Sequence, residues 1–199
     1  MAVRGSAPSV LKVLVVGDNN VNKGLLLAKF ENSQQQNFPF VSTIGLPFRV
    51  REVRVEGRLV RLQLWDAGWA EAWAALTAPP QDPLAAAALL LVYDVTREDT
   101  YESVRTWLQR MRSEARGQER LIMVLADNCH YLHDDRQVTW ERGKQLGLEA
   151  DRPFFEVSAV TGTNVEAVLK AITSSMLAKD SAAAPSTSAG STKASCCVQ

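Results

Sequence analysis

The sequence predicts an α/β domain: a mixed, mostly parallel sheet of about six strands, with one antiparallel hairpin at its edge and helices on both faces. Three observations carry that expectation. Leu11–Val16, Ala88–Tyr93 and Leu121–Ala126 are apolar runs of strand length, as expected of strands buried on both faces. The segments between and after them repeat apolar residues at helical spacing. Arg49–Val55 and Leu59–Trp65 flank Glu56-Gly57-Arg58, and Val60, Leu62 and Leu64 alternate with polar residues, as in a hairpin with one face on a core.

In chain order, Leu11–Val16 ends at Gly17-Asp18, a buried strand meeting a turn. Val21–Phe30 carries Leu25, Leu26, Ala28, Lys29 and Phe30 at helical spacing. After the hairpin, Ala88–Tyr93 closes at Asp94, and Thr100–Arg112 sets Val104, Trp107, Leu108 and Met111 in one stripe of an amphipathic helix. Leu121–Ala126 reads as a strand, Val138–Leu148 as a helix and Phe154–Val157 as a strand. Val165–Leu177 reads as a last helix, with Val168, Leu169, Ile172 and Met176 inward. The expected organisation is a flexible N-terminus over 1–10, one domain over 11–178, and a flexible Ser-, Ala- and Thr-rich tail over 179–199.

A chain of 199 residues is one domain's worth and can bury a core without disulfides. Its 46% hydrophobic and 22% charged residues exclude wholesale disorder. Lys+Arg and Asp+Glu are both 22, so no bulk basicity draws the chain to nucleic acid, and no nucleic-acid partner is expected. The longest apolar run, around Ala85–Tyr93, is far short of the ~20 residues of a spanning helix. Met1–Pro8 lacks the apolar stretch of a secretory signal. Three cysteines, two of them adjacent in the tail, make no disulfide framework. A monomeric, cytosolic domain is the expectation.

The first strand–turn–helix reads Gly17-Asp-Asn-Asn-Val-Asn-Lys23-Gly24. A phosphate-binding loop of the form G-x-x-x-x-G-K-[ST] would cradle phosphate oxygens here with backbone N–H groups at a helix N-terminus. Gly17 and Lys23 fit that form, while Asn22 stands for the second glycine and Gly24 for the hydroxyl. Taken alone, the motif divides evenly between a phosphate loop and a plain turn. Asn tolerates left-handed backbone better than other non-glycine residues, so Asn22 either preserves the loop's shape or fills the phosphate site with its side chain.

Further along, Thr43-Ile-Gly-Leu-Pro-Phe48 precedes the hairpin, Trp65-Asp66-Ala67-Gly68 ends it, and Val92-Tyr-Asp-Val-Thr96 closes the next strand. Ala126-Asp-Asn-Cys-His130 and Glu156-Val-Ser-Ala-Val160-Thr-Gly-Thr-Asn-Val165 follow the later strands. In this order and spacing, over about Leu11–Leu177 and the tail, the chain resembles the Ras-like small GTPases, in particular their Rab branch. The resemblance implies a P-loop G domain that binds GTP or GDP with Mg²⁺, acts at membranes in vesicle trafficking and recruits effector proteins through its switch regions. It implies nucleotide contacts from Gly17, Asn20, Val21, Asn22, Lys23, Gly24, Thr43, Asp66, Gly68, Asn128, His130, Ser158 and Ala159. Lys23 would bridge the outer phosphates. Of the metal residues, Thr43 would complete Mg²⁺ coordination in the triphosphate state and Asp66 would hold the ion through water.

Several family residues are replaced. The hydroxyl that ligates Mg²⁺ falls at Gly24. The family's T-A-G-Q-E corresponds to Ala67-Gly-Trp-Ala-Glu71. Without a gap, Trp69 and Ala70 stand for the Gly and the water-orienting Gln; with a one-residue deletion, Trp69 replaces the Gln. Either way that glutamine is absent. The base-reading N-K-x-D reads Asp127-Asn-Cys-His130, where a neutral imidazole accepts at most one hydrogen bond in place of the aspartate's two. Two charge-assisted bonds at roughly 1.5–3 kcal/mol each amount to about two to four decades of affinity. Val160 replaces the Lys of S-A-K beside Ser158 and Ala159. The expectation is a pseudo-GTPase-like, effector-recruiting module with weakened nucleotide binding and impaired hydrolysis. Retained Lys23, Thr43, Asp66 and Ser158-Ala159 support the alternative, a GTP/GDP switch with slow intrinsic hydrolysis.

Trp69 and Trp73 share a helical face. They are expected to pack inward on the sheet, with an exposed aromatic anchor for a partner as the alternative. Pro79, Pro80 and Pro83 argue against a long helix there. Cys129, His130 and His133 lack a second ligand pair for zinc and read as loop. Arg49, Arg51, Arg54, Arg58 and Arg61 are expected on a solvated face of the hairpin. At the end, Cys196-Cys197-Val198-Gln199 reads as C-a-a-X with Cys196 prenylated, or as a Rab-like C-C-x-x end with lipid on both Cys196 and Cys197; two exposed thiols are the bland alternative. The tail carries only Lys179 and Lys193, so the second signal that stable anchoring needs is a second lipid rather than a polybasic patch. The prenylation machinery is then an expected partner. The expected location is the cytoplasmic face of an intracellular or plasma membrane, with a cytosolic pool.

Overall fold

The structure is a computed structural model that describes residues 9–32, 48–55, 57–79, 82–83, 85–114, 121–127 and 135–183, with the backbone alone for 32 and 176–183. Its elements run β1 (Ser9–Val16), α1 (Lys23–Asn32), β2 (Phe48–Val55), β3 (Arg58–Ala67), α2 (Trp69–Thr77), β4 (Ala88–Asp94), α3 (Glu98–Glu114), β5 (Leu121–Asp127), α4 (Trp140–Ala150), β6 (Phe154–Val157) and α5 (Val165–Ala183). The sheet order is β2-β3-β1-β4-β5-β6. Among the described residues only β2 and β3 pair antiparallel, through a turn in which Gly57 takes φ 77, a backbone that side chains disfavour. The predicted architecture, a mixed six-stranded sheet with one hairpin at its edge, is the observed one.

The alternation of side chains along β1 divides the interior into two halves. Val13 and Val15 pack with Leu26 and Phe30 of α1 and with Val168, Leu169 and Ile172 of α5. Leu14 and Val16 pack on the other side with Leu76 of α2, Val104, Trp107 and Leu108 of α3, and Leu146 of α4. Every residue of β4 is buried, because helices cover the sheet on both sides of it. β1 lies between β3 and β4, so the chain passes to one side of β1 first and to the other side later. In open α/β sheets such a reversal leaves a crevice at the carboxyl ends of the strands. The loop that follows Val16 opens into it.

Several element ends differ from expectation for local reasons. α1 begins at Lys23 rather than Val21, because the Asn22 carbonyl accepts the N–H groups of Leu25 and Leu26 and so closes the first turn. α4 begins at Trp140 rather than Val138: Thr139 is its N-cap, its hydroxyl accepting from the Arg142 N–H, and the N–H of Val138 donates to Val95 instead. α2 stops at Thr77, two residues before Pro79. The hairpin arginines are not simply solvated. Arg51 is 7% exposed and donates to Glu166 at 2.8 Å, Arg49 donates to Glu31 at 2.6 Å, and Arg61 to Glu52 at 2.7 Å. The sheet edge lies over α1 and α5, which brings Glu31 and Glu166 within reach, whereas Glu52 stands directly across the hairpin from Arg61.

Candidate functional site

Gly17 sits where β1 passes closest to β4. A Cβ there would lie 2.5 Å from the Val92 carbonyl oxygen, so no side chain fits without moving backbone. The loop beyond it folds on itself: the Val21 N–H donates to the Asp18 carbonyl at 3.1 Å, and the Lys23 N–H to the Val21 carbonyl at 2.7 Å. The buried Lys23 ammonium donates to the carbonyls of Gly17 at 2.7 Å and Asp18 at 2.9 Å, and lies 3.6 Å from Asp66 Oδ1 at the end of β3. An ammonium has three N–H groups. Two of them are taken by carbonyls, and the Asp66 carboxylate lies at ion-pair distance.

Val21 is buried, whereas Asn20, Asn22 and Gly24 are exposed. Among the described residues, positive φ is confined to Gly57, Asp151, Gly162 and Asn164. Asn22 therefore does not keep the loop's shape by tolerating left-handed backbone. A Cβ at Gly24 would meet nothing within 4 Å. Asn20, with its carbonyl toward Arg97, accepts from that guanidinium at 2.6 Å and so ties the loop to the start of α3. Arg97 also pairs with Asp99 at 3.1 Å, and that hydrogen bond holds the Asp99 carboxyl below the usual carboxylate range.

The loop after β6 is ordered by its own polar groups. Ser158 Oγ accepts from the Thr161 N–H at 3.2 Å, and the Gly162 N–H donates to the Ser158 carbonyl at 2.8 Å. Lys29 Nζ donates to the Val160 carbonyl at 3.2 Å, joining α1 to this loop, and both Ser158 and Ala159 are buried. The structure thus brings Gly17, Asn20, Val21, Asn22, Lys23, Gly24, Asp66 and Gly68 to one end of the sheet, with Ser158 and Ala159 linked to α1 through Lys29. Thr43, Asn128 and His130 lie outside the described residues, as do Cys129, His133, Cys196 and Cys197. Of the two expected metal residues, Asp66 is the one described. No three His, Cys, Asp or Glu side chains converge on a metal site among the described residues. Gly24 offers no side-chain oxygen, so of the expected metal-holding side chains the described one is the Asp66 carboxylate, half-exposed and beside Lys23.

One contact in this region was not foreseen from the sequence. Gly68, extended at φ −85, leads into α2, and the first residue of that helix, Trp69, donates its indole N–H to Asp18 Oδ1 at 2.7 Å. Trp69 and Trp73 are half-buried, and both rest on Trp107 of α3, with ring centroids 6.1 Å and 6.2 Å away. The Arg110 guanidinium lies 4.3 Å over the Trp73 ring. The two tryptophans do turn inward, against Trp107 of α3 and the half of the core that includes Leu14, Val16 and Ala67 of the sheet. A half-buried indole N–H generally finds an acceptor, and Asp18 is an acidic residue in the loop at the end of β1. That was the available signal.

Residues 12–178 match the family model described as Ras family. The chain is 34% identical over 158 residues to human Ras-related protein Rab-8B, an alignment covering 79% of this chain and 73% of that protein. To Rab-8A of Bos taurus it is 33% identical over 157 residues, covering 79% and 73%. To mouse Rab-26 it is 38% identical over 176 residues, covering 88% of this chain and 65% of that protein.

Proposed function

This chain belongs to the Ras family and is a Rab-like small GTPase by sequence; on that premise we propose that it works as a lipid-anchored, effector-recruiting module of vesicle trafficking, with weakened guanine-nucleotide binding and impaired hydrolysis. The observation that carries this reading is Trp69. It stands where the family has the glycine or the water-orienting glutamine, and its N–H is engaged by Asp18. An indole N–H is a donor only. It cannot accept a hydrogen bond from an attacking water, which the amide carbonyl of glutamine can do while its NH2 donates.

Two further features support the reading. Gly24 lacks the hydroxyl expected at the metal, and the Lys23 ammonium is already met by Gly17, Asp18 and Asp66. The second reading, a slow GTP/GDP switch, is favoured by the placement of Lys23 beneath the loop and 3.6 Å from Asp66. The proposed anchor is lipid on Cys196 and Cys197, at the cytoplasmic face of a membrane. Among the described residues, no helix is long and apolar enough to cross one.

Thermal unfolding of the full-length protein with Mg²⁺ and GTP, GDP or ATP, with and without chelator, separates the readings. A ligand at 100 times its dissociation constant adds about 2.7 kcal/mol, which at about 2–4 °C per kcal/mol for a domain near this size is a shift of roughly 5–11 °C. The expected result is a cooperative transition with no shift at micromolar nucleotide. A Mg²⁺-dependent shift at that concentration, confined to guanine nucleotides, would establish the switch instead. An equal shift with ATP would mean that the loop binds phosphates without reading the base.

A further inference from the structure

We infer that the Trp69–Asp18 hydrogen bond is a latch that holds α2 on the phosphate loop whether or not a nucleotide is present, with Trp69 as the positioning residue. In GTPases the switch segments are ordered by contacts to the terminal phosphate and Mg²⁺ and released on hydrolysis. Here a donor and an acceptor within the chain supply that contact, so α2 does not report the state of the site.

α2 needs such a tie. It is nine residues long, and Gly68 gives it no side-chain cap. Isolated helices shorter than ~12–15 residues are marginal in water, so α2 stands on its tertiary contacts. Its buried residues are Ala72, Ala75 and Leu76, small apart from the leucine. The tryptophans add the specific part. Trp69 binds Asp18 and stacks at a tilt on Trp107, while Trp73 meets the same ring edge-on.

The acceptor end is equally well anchored. The Asp18 carbonyl takes the Val21 N–H and one proton of Lys23, which fixes the residue whose carboxylate receives Trp69. Asn20, two residues on, is tied to Arg97 just before α3. Loop, α2 and α3 thus form a closed ring of contacts around a groove of about 610 Å³ whose walls include Asp18, Trp69, Trp107 and Arg110. Opening α2 would break a charge-assisted hydrogen bond and expose two indoles at once. This inference rests on the proposed function in one respect: with nucleotide binding weakened, the latch rather than a ligand sets the position of α2.

Hydrogen exchange on the full-length protein tests it, reading the amides of residues 69–77 against those of β4 as the internal reference. Samples are the wild type, Trp69→Phe and Asp18→Ala, each without nucleotide and with Mg²⁺ plus GTP or GDP, with thermal unfolding recorded in parallel. Trp69→Phe keeps a ring and removes the donor; Asp18→Ala removes the acceptor. The expected result is wild-type protection of α2 that nucleotide leaves unchanged. Either variant should speed exchange in α2 by about tenfold or more, the worth of one hydrogen bond to a charged group, while β4 stays protected.

Unchanged exchange in both variants, or wild-type protection that appears only with nucleotide, would overturn the latch. A variant that also loses protection in β4 is globally unfolded, and the other variant then decides. The two readings fail separately. Nucleotide that shifts the melting temperature while α2 exchange stays constant removes weakened binding and keeps the latch. No shift together with insensitive variants removes the latch and keeps weakened binding.

Discussion

Two glycines at either end of the phosphate loop show opposite constraints, and each leads to a prediction. Gly17 is required by the Val92 carbonyl, 2.5 Å from where its Cβ would lie. Gly17→Ala should destabilise the domain by about 1–3 kcal/mol, the usual cost of overpacking, read as a lower urea midpoint. Gly24 has open space where its Cβ would be, so Gly24→Ser fits without rearrangement. It should raise stability by up to about 0.5 kcal/mol through helix propensity and enlarge any Mg²⁺-dependent thermal shift with GTP. A variant that gains stability but no metal dependence would mean that, within the proposed function, Gly24 is not what weakens binding. Trp69 is the residue whose role differs most from expectation. As a half-buried aromatic it looked like packing, and its N–H proved to be the part that connects α2 to the loop after β1.

At the level of elements, α3 and α4 are joined by charge across their exposed sides. Arg142 on α4 binds Glu98, the first residue of α3, through two hydrogen bonds of 2.8 Å and 2.6 Å. The Arg142 hydrogen bond holds the Glu98 carboxyl below its usual 4.5. A depressed folded pKa means that this contribution is present above the unfolded value and fades as pH falls through the folded one. Both side chains are about two-fifths exposed, so solvent screens the pair and the effect is small. Glu98→Gln should lower the urea midpoint at neutral pH, and the gap from wild type should close once the carboxylate is protonated. α4 also depends on its start. Removing the Thr139 cap by Thr139→Ala should cost about 0.5–1 kcal/mol, visible as faster exchange in the first turn of that helix. Adding a methyl at Gly143 would press on the Phe154 ring at 2.6 Å, so Gly143→Ala should lose stability despite the better helix propensity of alanine.

For the whole molecule, the proposed function makes a lipidated tail the element that would set where the domain acts. One prenyl chain alone gives marginal membrane affinity and two give stable anchoring. In cell fractionation, Cys196→Ser or Cys197→Ser alone should leave a partly soluble protein, and the double variant a fully soluble one. Equal membrane recovery of all three would exclude lipid on these cysteines as the anchor. The sequence by itself determined the layered architecture, the hairpin edge, the order of the loops at one end of the sheet and the family. Each of these depends on local periodicity, or on ordered short motifs, which survive without knowledge of what touches what. It also carried the expectation that Gly24 and Trp69 stand in place of chemistry-bearing family residues, an expectation read from motif order and independent of coordinates. Only the tertiary structure decided the rest. Arg51 pairs with Glu166 because the sheet edge lies over α5, a contact between residues far apart in the chain. Lys23, which meets two carbonyls of its own loop, also lies beside Asp66 because the end of β3 is set next to that loop. Asp18 and Trp69 meet for the same reason. Hydrogen bonds between distant segments leave no periodic trace along a chain; they appear only when the strands that carry them are set side by side.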